Sequence, residues 1–193
     1  MNTSIELKIA DILSVARSQL VCCEVILEYP KKQGKNYDPG SVIDNFWMNT
    51  GKAFFYDSLS LTATLINKDP RTISFFNWQD FAQQYTSWLE QQVNNFENLQ
   101  LKTIRDQVVS HVDISNRNNR LPRHRRQGSL NENLALNLRD VQEDLIEKFD
   151  EFTRNNTRPY SRSSFFEGDK ARQQVEHALD AAKPELTSNP VGG

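Results

Sequence analysis

Arg105, Asp106 and His111 are the residues whose types and spacing could do chemistry. A histidine side chain exchanges its proton near neutral pH, so it can act as a general base or a general acid. An arginine guanidinium stays charged, and its fork of N–H donors fits the oxygens of a phosphate. On a helix the six-residue separation places Arg105 and His111 roughly 120° apart and about 9 Å along the axis, so they do not share one face. A long arginine side chain, or a helix end near His111, would bring both to one groove.

This pair of residue types matches what RNA cleavage through the ribose 2′-hydroxyl requires, a reaction that needs no metal ion. A base takes the hydroxyl proton, an acid protonates the departing 5′-oxygen, and positive charge stabilises the phosphate in the transition state. One histidine cannot readily be both base and acid in one step, whereas two copies across a dimer two-fold axis could share the task. The competing interpretation is a solvated helix face at Arg105 and Asp106, with His111 near a helix C-terminus, where a cation is favoured.

A basic segment comes after this helix. Residues 116–128 are almost wholly polar and contain Pro122, so we predict an exposed basic loop. The loop has no acidic residue, while the whole chain carries a net charge of -2, so the charge is strongly asymmetric here. We predict that its arginines contact RNA phosphates, and a loop that is merely solvated is the alternative. The predicted RNA-binding residues are Arg117, Arg120, Arg123, Arg125 and Arg126.

The elements that must position these residues are helices. Apolar residues recur at helical spacing along most of the chain, and Gly and Pro number only 7 each, which disfavours a turn-rich β-fold. We therefore predict an all-α fold, an antiparallel bundle of about five to six helices with a basic loop. The predicted helices cover residues 4–29, 41–66, 80–96, 98–115, 130–155 and 169–183.

Particular residues mark where these helices begin and end. Ser4 and Ser41 are predicted N-caps, and Pro30 is expected to stop the first helix. Gly51 lies within the second helix, where it costs propensity and is expected to allow either close packing of helices or a bend. Asp69 followed by Pro70 predicts a helix restart, with a cap and then a proline at the first helical position.

The chain of 193 residues is long enough for one domain with an appendage. We divide it into a helical bundle over 1–155, a C-terminal helical extension over 156–183 and a disordered tail over 184–193. The aromatic residues of the second and third helices and of the short element between them are expected in the core or in a dimer interface rather than around a cofactor. They are Phe46, Trp47, Phe54, Phe55, Phe75, Phe76, Trp78, Phe81 and Trp88.

Several classes of protein are disfavoured by what the sequence lacks. It shows no signal peptide and no membrane-spanning stretch, and the adjacent Cys22 and Cys23 suit a reducing compartment, so we predict a cytoplasmic protein without membrane contact. No Gly-rich phosphate loop and no histidine or cysteine at metal-ligand spacing occurs, so we predict no metal and no cofactor.

The segment Arg105-Asp106-Gln107-Val108-Val109-Ser110-His111 resembles the R-x(4–6)-H motif of the HEPN superfamily, with five residues between arginine and histidine. The polar residue directly after the arginine also fits that pattern. The flanking Ile104 and the following Val112-Asp113 are most similar to the abortive-infection branch of the superfamily. The resemblance covers roughly residues 5–155.

This resemblance implies a helical bundle that forms a homodimer, with two Arg105/His111 pairs lining a shared cleft. It implies a metal-independent endoribonuclease of toxin–antitoxin or phage-defence type, with RNA as substrate and an antitoxin as a further partner. Arg105 would hold the scissile phosphate, His111 would be the general base or acid, and Asp106 would orient one of them. Some HEPN members are inert, so the alternative is a non-catalytic helical module that binds RNA or a protein.

Overall fold

The computed structural model describes residues 4–109, 132–156 and 168–188. The predicted all-α helical bundle is confirmed: these ranges contain six α-helices, one 3-10 turn at Phe75–Asn77 and two strands of two residues each. The helices are α1 Ile5–Lys32, α2 Val42–Leu65, α3 Gln79–Asn98, α4 Leu101–Val109, α5 Glu132–Asn156 and α6 Gly168–Ala182, and the strands are β1 Lys35–Asn36 and β2 Thr187–Ser188. Within the described ranges no helix is both long and apolar enough to cross a membrane.

The two longest N-terminal helices, α1 and α2, begin at the predicted caps and pack closely. Ser4 Oγ accepts a hydrogen bond from the Leu7 amide at 3.4 Å, and Ser41 Oγ accepts one from the Asp44 amide at 3.2 Å. Each bond satisfies an amide that the first helical turn leaves without a backbone acceptor. A Cβ atom at Gly51 would lie 3.1 Å from Ile26 Cγ2, so the glycine allows the close approach of α2 to α1.

The prediction that Pro30 stops α1 is wrong by one short turn, because the helix continues to Lys32 with Pro30 buried inside it. A proline has no amide proton, so the carbonyl of Ile26, four residues earlier, loses its helical donor. The hydroxyl of Tyr37 replaces that donor with a hydrogen bond of 2.9 Å to the Ile26 oxygen. The chain leaves the helical path at Gly34, whose φ of 64° is readily accessible to glycine.

The predicted helix restart at Asp69 and Pro70 is also wrong, since α2 ends at Leu65 and the next helical residues are those of the 3-10 turn. Asp69 caps a local turn instead: its Oδ1 accepts the Arg71 amide at 2.9 Å, and its carbonyl accepts the Thr72 amide at 3.0 Å. An aspartate that bonds the backbone two residues onward builds such a turn, which competes with helix initiation.

The main core is formed by residues of α1, α2, the 3-10 turn, α3, α4 and α5, and its aromatic part lies where the 3-10 turn and α3 meet α5. Rings from these elements pack at centroid distances of 4.7 Å for Phe75 and Phe81 and 4.8 Å for Trp78 and Phe152. The predicted core role is confirmed for these buried rings, whereas Phe46 on α2 is 60% exposed. Edge-on and tilted ring pairs of this kind add to the free energy gained by burying the rings.

A buried polar network connects α1, α2 and α5. Gln142 Nε2 donates to Ser58 Oγ at 2.8 Å and to Thr62 Oγ1 at 2.9 Å, two acceptors one turn apart on α2. Ser58 Oγ in turn donates to the carbonyl of Ala16 on α1 at 2.7 Å. Because buried polar groups are costly without partners, the network permits one register of the three helices.

The C-terminal helix α6 packs on α1 around Leu179, which is buried with Val21, Val25 and Ile26. The chain then returns along the start of α2, where the Glu185 amide donates to Asp44 Oδ1 at 3.0 Å. Strands β1 and β2 pair antiparallel. The prediction of a disordered tail from residue 184 is therefore wrong for residues 184–188, and 189–193 lie outside the described residues.

We predict that Ser58→Ala lowers the free energy of unfolding by about 1–3 kcal/mol, because one N–H of Gln142 is left buried without an acceptor. The matched control is Ser60→Ala on the half-buried neighbouring face of α2, with an expected change within about 0.5 kcal/mol. Urea denaturation of both variants measures the difference. Equal stability of the two variants would contradict the role assigned to the network.

We predict that Asp44→Ala releases the segment at Glu185. The carboxylate of Asp44 accepts the Asp38 amide through Oδ2 and the Glu185 amide through Oδ1, and an alanine side chain offers no acceptor to either. Hydrogen exchange at the Glu185 amide should therefore accelerate, while the exposed control Asp57→Ala leaves it unchanged. Unaltered protection of Glu185 in Asp44→Ala would contradict the role assigned to the carboxylate of Asp44.

Candidate functional site

The helix that carries Arg105 and Asp106 follows α3 after a sharp corner. Gln100 adopts a left-handed conformation with φ of 61°, and its amide bonds the Glu97 carbonyl at 2.9 Å. Its own carbonyl accepts the Ile104 amide at 3.1 Å and so starts α4. Leu101 is fully buried and anchors the new helix against the core. The corner thus places the next turn of α4 beside the ends of α2 and α3.

Arg105 and Asp106, two of the three predicted catalytic residues, form an ion pair on α4. Asp106 Oδ1 accepts two hydrogen bonds from Arg105, one from Nε at 2.8 Å and one from Nη2 at 2.5 Å. Consecutive residues on a helix do not normally face each other, so the pair forms because the arginine side chain curves along the helix surface. The contact fixes the direction of the guanidinium, which is 29% exposed.

Arg105 lines a surface groove of about 360 Å³ between the end of α2, α3 and the first turns of α4. Its charged wall contains the three cations Lys68, Lys102 and Arg105 against the single carboxylate of Glu97. The rest of the wall is largely apolar, formed by Ala63, Ile66, Val93 and Phe96 together with Asn67. Three cations therefore line a partly apolar groove, and each of them is paired with a carboxylate that an anionic ligand would have to replace or share.

The two lysines of the groove are also held in place. Lys102 pairs with Glu97 on the preceding helix, and Lys68 Nζ lies 2.5 Å from Glu90 Oε2. Lys68 Nζ also lies 5.4 Å from the centre of the Phe76 ring, a cation–π contact. These pairs are exposed, and water and salt screen them, so an incoming phosphate can compete with the carboxylates.

Sequence reasoning missed the two lysines. Lys102 lies three residues before Arg105, a spacing that places both on neighbouring parts of one helix face, so local sequence carried a signal for it. Lys68 follows the end of α2 and reaches the groove through tertiary packing alone, for which the sequence has no local signal.

The remaining predicted site residues lie outside the described residues. His111 falls two positions after the last described residue of α4. The same holds for the predicted RNA-binding residues of the basic loop, which are Arg117, Arg120, Arg123, Arg125 and Arg126. The structure therefore brings Arg105 and Asp106 together and does not test their relation to His111.

Other candidate chemistry is limited in the described part of the chain. Its only histidine is His177, which is exposed on α6, and none of its histidines, cysteines or carboxylates forms a cluster of three suited to a metal ion. Cys22 and Cys23 are both thiols. Burial, with Glu24 and Cys22 beside it, raises the pKa of Cys23 to about 12, so this thiol stays protonated and unreactive at neutral pH.

Comparison of the chain with protein-family models, with curated proteins and with solved structures found no match. Function must therefore be inferred from the residues and their geometry.

We predict that Gln100→Gly raises the free energy of unfolding by about 0.5–1 kcal/mol, because glycine adopts the left-handed conformation without the steric cost of a side chain. The control of opposite sign is Gln91→Gly, exposed within α3, which should lower it by about 1 kcal/mol. Thermal denaturation of both variants measures the two changes. A loss of stability in Gln100→Gly would contradict the strained corner.

Proposed function

We propose that the protein is a metal-independent endoribonuclease that holds RNA phosphates in the groove of Lys68, Lys102 and Arg105. The observation that carries the proposal is the orientation of the Arg105 guanidinium by Asp106 at the edge of this groove. An arginine fixed by a neighbouring carboxylate keeps N–H donors for a phosphate and loses little freedom on binding it. The resemblance of residues 105–111 to the HEPN motif supplies the reaction type.

In the proposed reaction the ribose 2′-oxygen attacks the adjacent phosphorus. A new P–O2′ bond forms and the P–O5′ bond breaks, which leaves a 2′,3′-cyclic phosphate and a 5′-hydroxyl. The imidazole of one His111 accepts the 2′-hydroxyl proton, and a protonated His111 donates a proton to the departing 5′-oxygen. Arg105 stabilises the added charge on the phosphate oxygens.

Two imidazoles in different protonation states are needed, so the proposal requires two copies of the chain. A homodimer with both His111 residues in one cleft supplies the base and the acid together. We include in the proposal a cytoplasmic location and a toxin or phage-defence role with an antitoxin as partner, because free ribonuclease activity in the cytoplasm needs a restraint.

The second candidate function is a non-catalytic module that binds RNA. It is favoured by the composition of the groove itself, because Lys68, Lys102 and Arg105 can bind phosphates without any contribution from His111. The basic loop with Arg123, Arg125 and Arg126 would add salt-dependent affinity in either case. Cleavage separates the two candidates, whereas binding does not.

We predict that the purified chain cleaves single-stranded RNA in the presence of EDTA and that His111→Ala slows cleavage by about 10²- to 10⁴-fold through loss of proton transfer. Arg105→Ala should reduce both cleavage and RNA affinity. The matched controls are His177→Ala and Arg154→Ala, both at exposed helical positions away from the groove. Gel-based cleavage, fluorescence anisotropy and circular dichroism report activity, binding and fold.

Each outcome of this experiment decides between the candidates. RNA that is bound but never cut by the unmodified chain supports the binding module and removes the nuclease. Cleavage that survives both His111→Ala and Arg105→Ala removes the proposed site. An unmodified chain that neither binds nor cuts RNA removes both candidates.

A further inference from the structure

A second cavity of about 360 Å³ lies between α1, α5 and α6, and three arginines from these three helices line it. Arg17 belongs to α1, Arg139 to α5 and Arg172 to α6. The wall also contains the carboxylates of Glu24, Glu28 and Asp169. The cavity shares no residue with the groove of Arg105, so a ligand bound in it would be independent of the proposed ribonuclease site.

Each of the three guanidiniums donates one hydrogen bond to a carboxylate, and Arg172 Nη1 also lies 4.0 Å from Glu176 Oε1. The bonds run from Arg17 Nη2 to Glu143 Oε1 at 3.2 Å, from Arg139 Nε to Glu24 Oε1 at 2.7 Å and from Arg172 Nη1 to Glu28 Oε2 at 3.1 Å. A guanidinium has five N–H donors in a rigid fork. Each arginine is thus fixed in direction, and most of its donors make no other hydrogen bond to the described residues.

Arg17 carries the strongest sign that the cavity takes a ligand. Its Nη1 atom is buried and has no hydrogen-bond partner among the described residues, although its neighbour Nη2 is paired. Leaving a donor on a charged group buried without an acceptor costs more than leaving a neutral one. Five other buried side-chain atoms of the described residues also have no partner, but Arg17 Nη1 is the only one of the six that is a charged donor on a residue lining this cavity, where a bound acceptor could satisfy it.

We propose that this cavity binds a small sugar phosphate, with the phosphate on the arginines and the sugar hydroxyls on the carboxylates. A phosphate has several acceptor oxygens and can bond N–H groups from more than one guanidinium at once. A bare anion would be repelled by Glu28 and Asp169 on the same wall, whereas hydroxyl groups can donate to them. The volume falls in the range of cavities that hold small organic ligands.

Binding is measured by isothermal titration calorimetry on the full chain with ribose 5-phosphate, inorganic phosphate and ribose as separate probes. We expect saturable binding of ribose 5-phosphate, weaker binding of inorganic phosphate and none of ribose. Arg17→Gln and Arg172→Gln should each weaken the binding of ribose 5-phosphate by at least about tenfold, since each removes charge-assisted hydrogen bonds. Their carboxylate partners are partly exposed, so these variants should fold.

The control is Arg71→Gln, an exposed arginine that also pairs with a carboxylate but lies outside the cavity. Its affinity for ribose 5-phosphate should match that of the unmodified chain. Failure of ribose 5-phosphate to bind at millimolar concentration would overturn the proposal. So would equal weakening in all three variants, or inorganic phosphate binding as tightly as ribose 5-phosphate. Calorimetry with ribose 5-phosphate does not depend on RNA cleavage. Failure of the sugar-phosphate site can therefore be distinguished from failure of the proposed ribonuclease.

Discussion

The two hydrogen bonds from the amide of Gln142 to α2 determine much of the arrangement of the long helices. The two acceptors, Ser58 and Thr62, are one turn apart on α2. The hydroxyl of Ser58 in turn donates a hydrogen bond to the Ala16 carbonyl of α1. A shift of α5 by one residue would take the buried amide of Gln142 away from both acceptors, although the two hydroxyls would keep their own bonds to the carbonyls of Ala16 and Ser58. Apolar contacts tolerate such shifts far better, because they have no directional requirement.

The register of α5 fixes the charged residues on the same helix. Arg139 lies three residues before Gln142, close to one turn away, and the network therefore holds it opposite Glu24 of α1. Asp144, two residues after Gln142, accepts a hydrogen bond from Gln92 of α3 at 3.3 Å. The register fixed by the buried polar network thus determines two contacts of α5. One is the contact of Arg139 with α1 at the cavity of the three arginines, and the other is the contact of Asp144 with α3.

Local sequence predicts the parts of this fold that depend on local interactions. The predicted N-caps, Ser4 and Ser41, bond amides within one turn of their own positions. Gly51 allows close packing because it has no side chain. All three predictions hold. The errors at Pro30 and at 184–188 have a common cause. The donor that lets α1 continue past Pro30 comes from Tyr37, and the acceptor for Glu185 comes from Asp44, 141 residues earlier.

The same distinction applies to the candidate sites. Arg105 and Lys102 lie one turn apart on α4, so their place on one wall could be predicted, whereas the bond of Arg105 to the adjacent Asp106 depends on how the arginine side chain curves along the helix. Lys68 could not be predicted, because only the end of α2 brings it to the groove. The cavity of the three arginines could not be predicted either, because its contacts join residues that are far apart in the sequence. Arg17, for example, bonds Glu143, which lies 126 residues later in the chain.

The ion pairs of the two sites differ in what they contribute to stability. Arg105 and Asp106 have side chains 29% and 51% exposed, and such a pair contributes about 0–1 kcal/mol. Glu24 is 5% exposed and its partner Arg139 is 29% exposed, so loss of the arginine would leave a buried carboxylate without its partner, at a greater cost than in an exposed pair. The pair of Arg105 and Asp106 therefore adds little to the stability of the fold. The pair of Glu24 and Arg139 instead helps to hold α5 against α1. In the cavity of the three arginines, Arg17 and Arg172 are therefore the residues that can be changed to test ligand binding without loss of the fold.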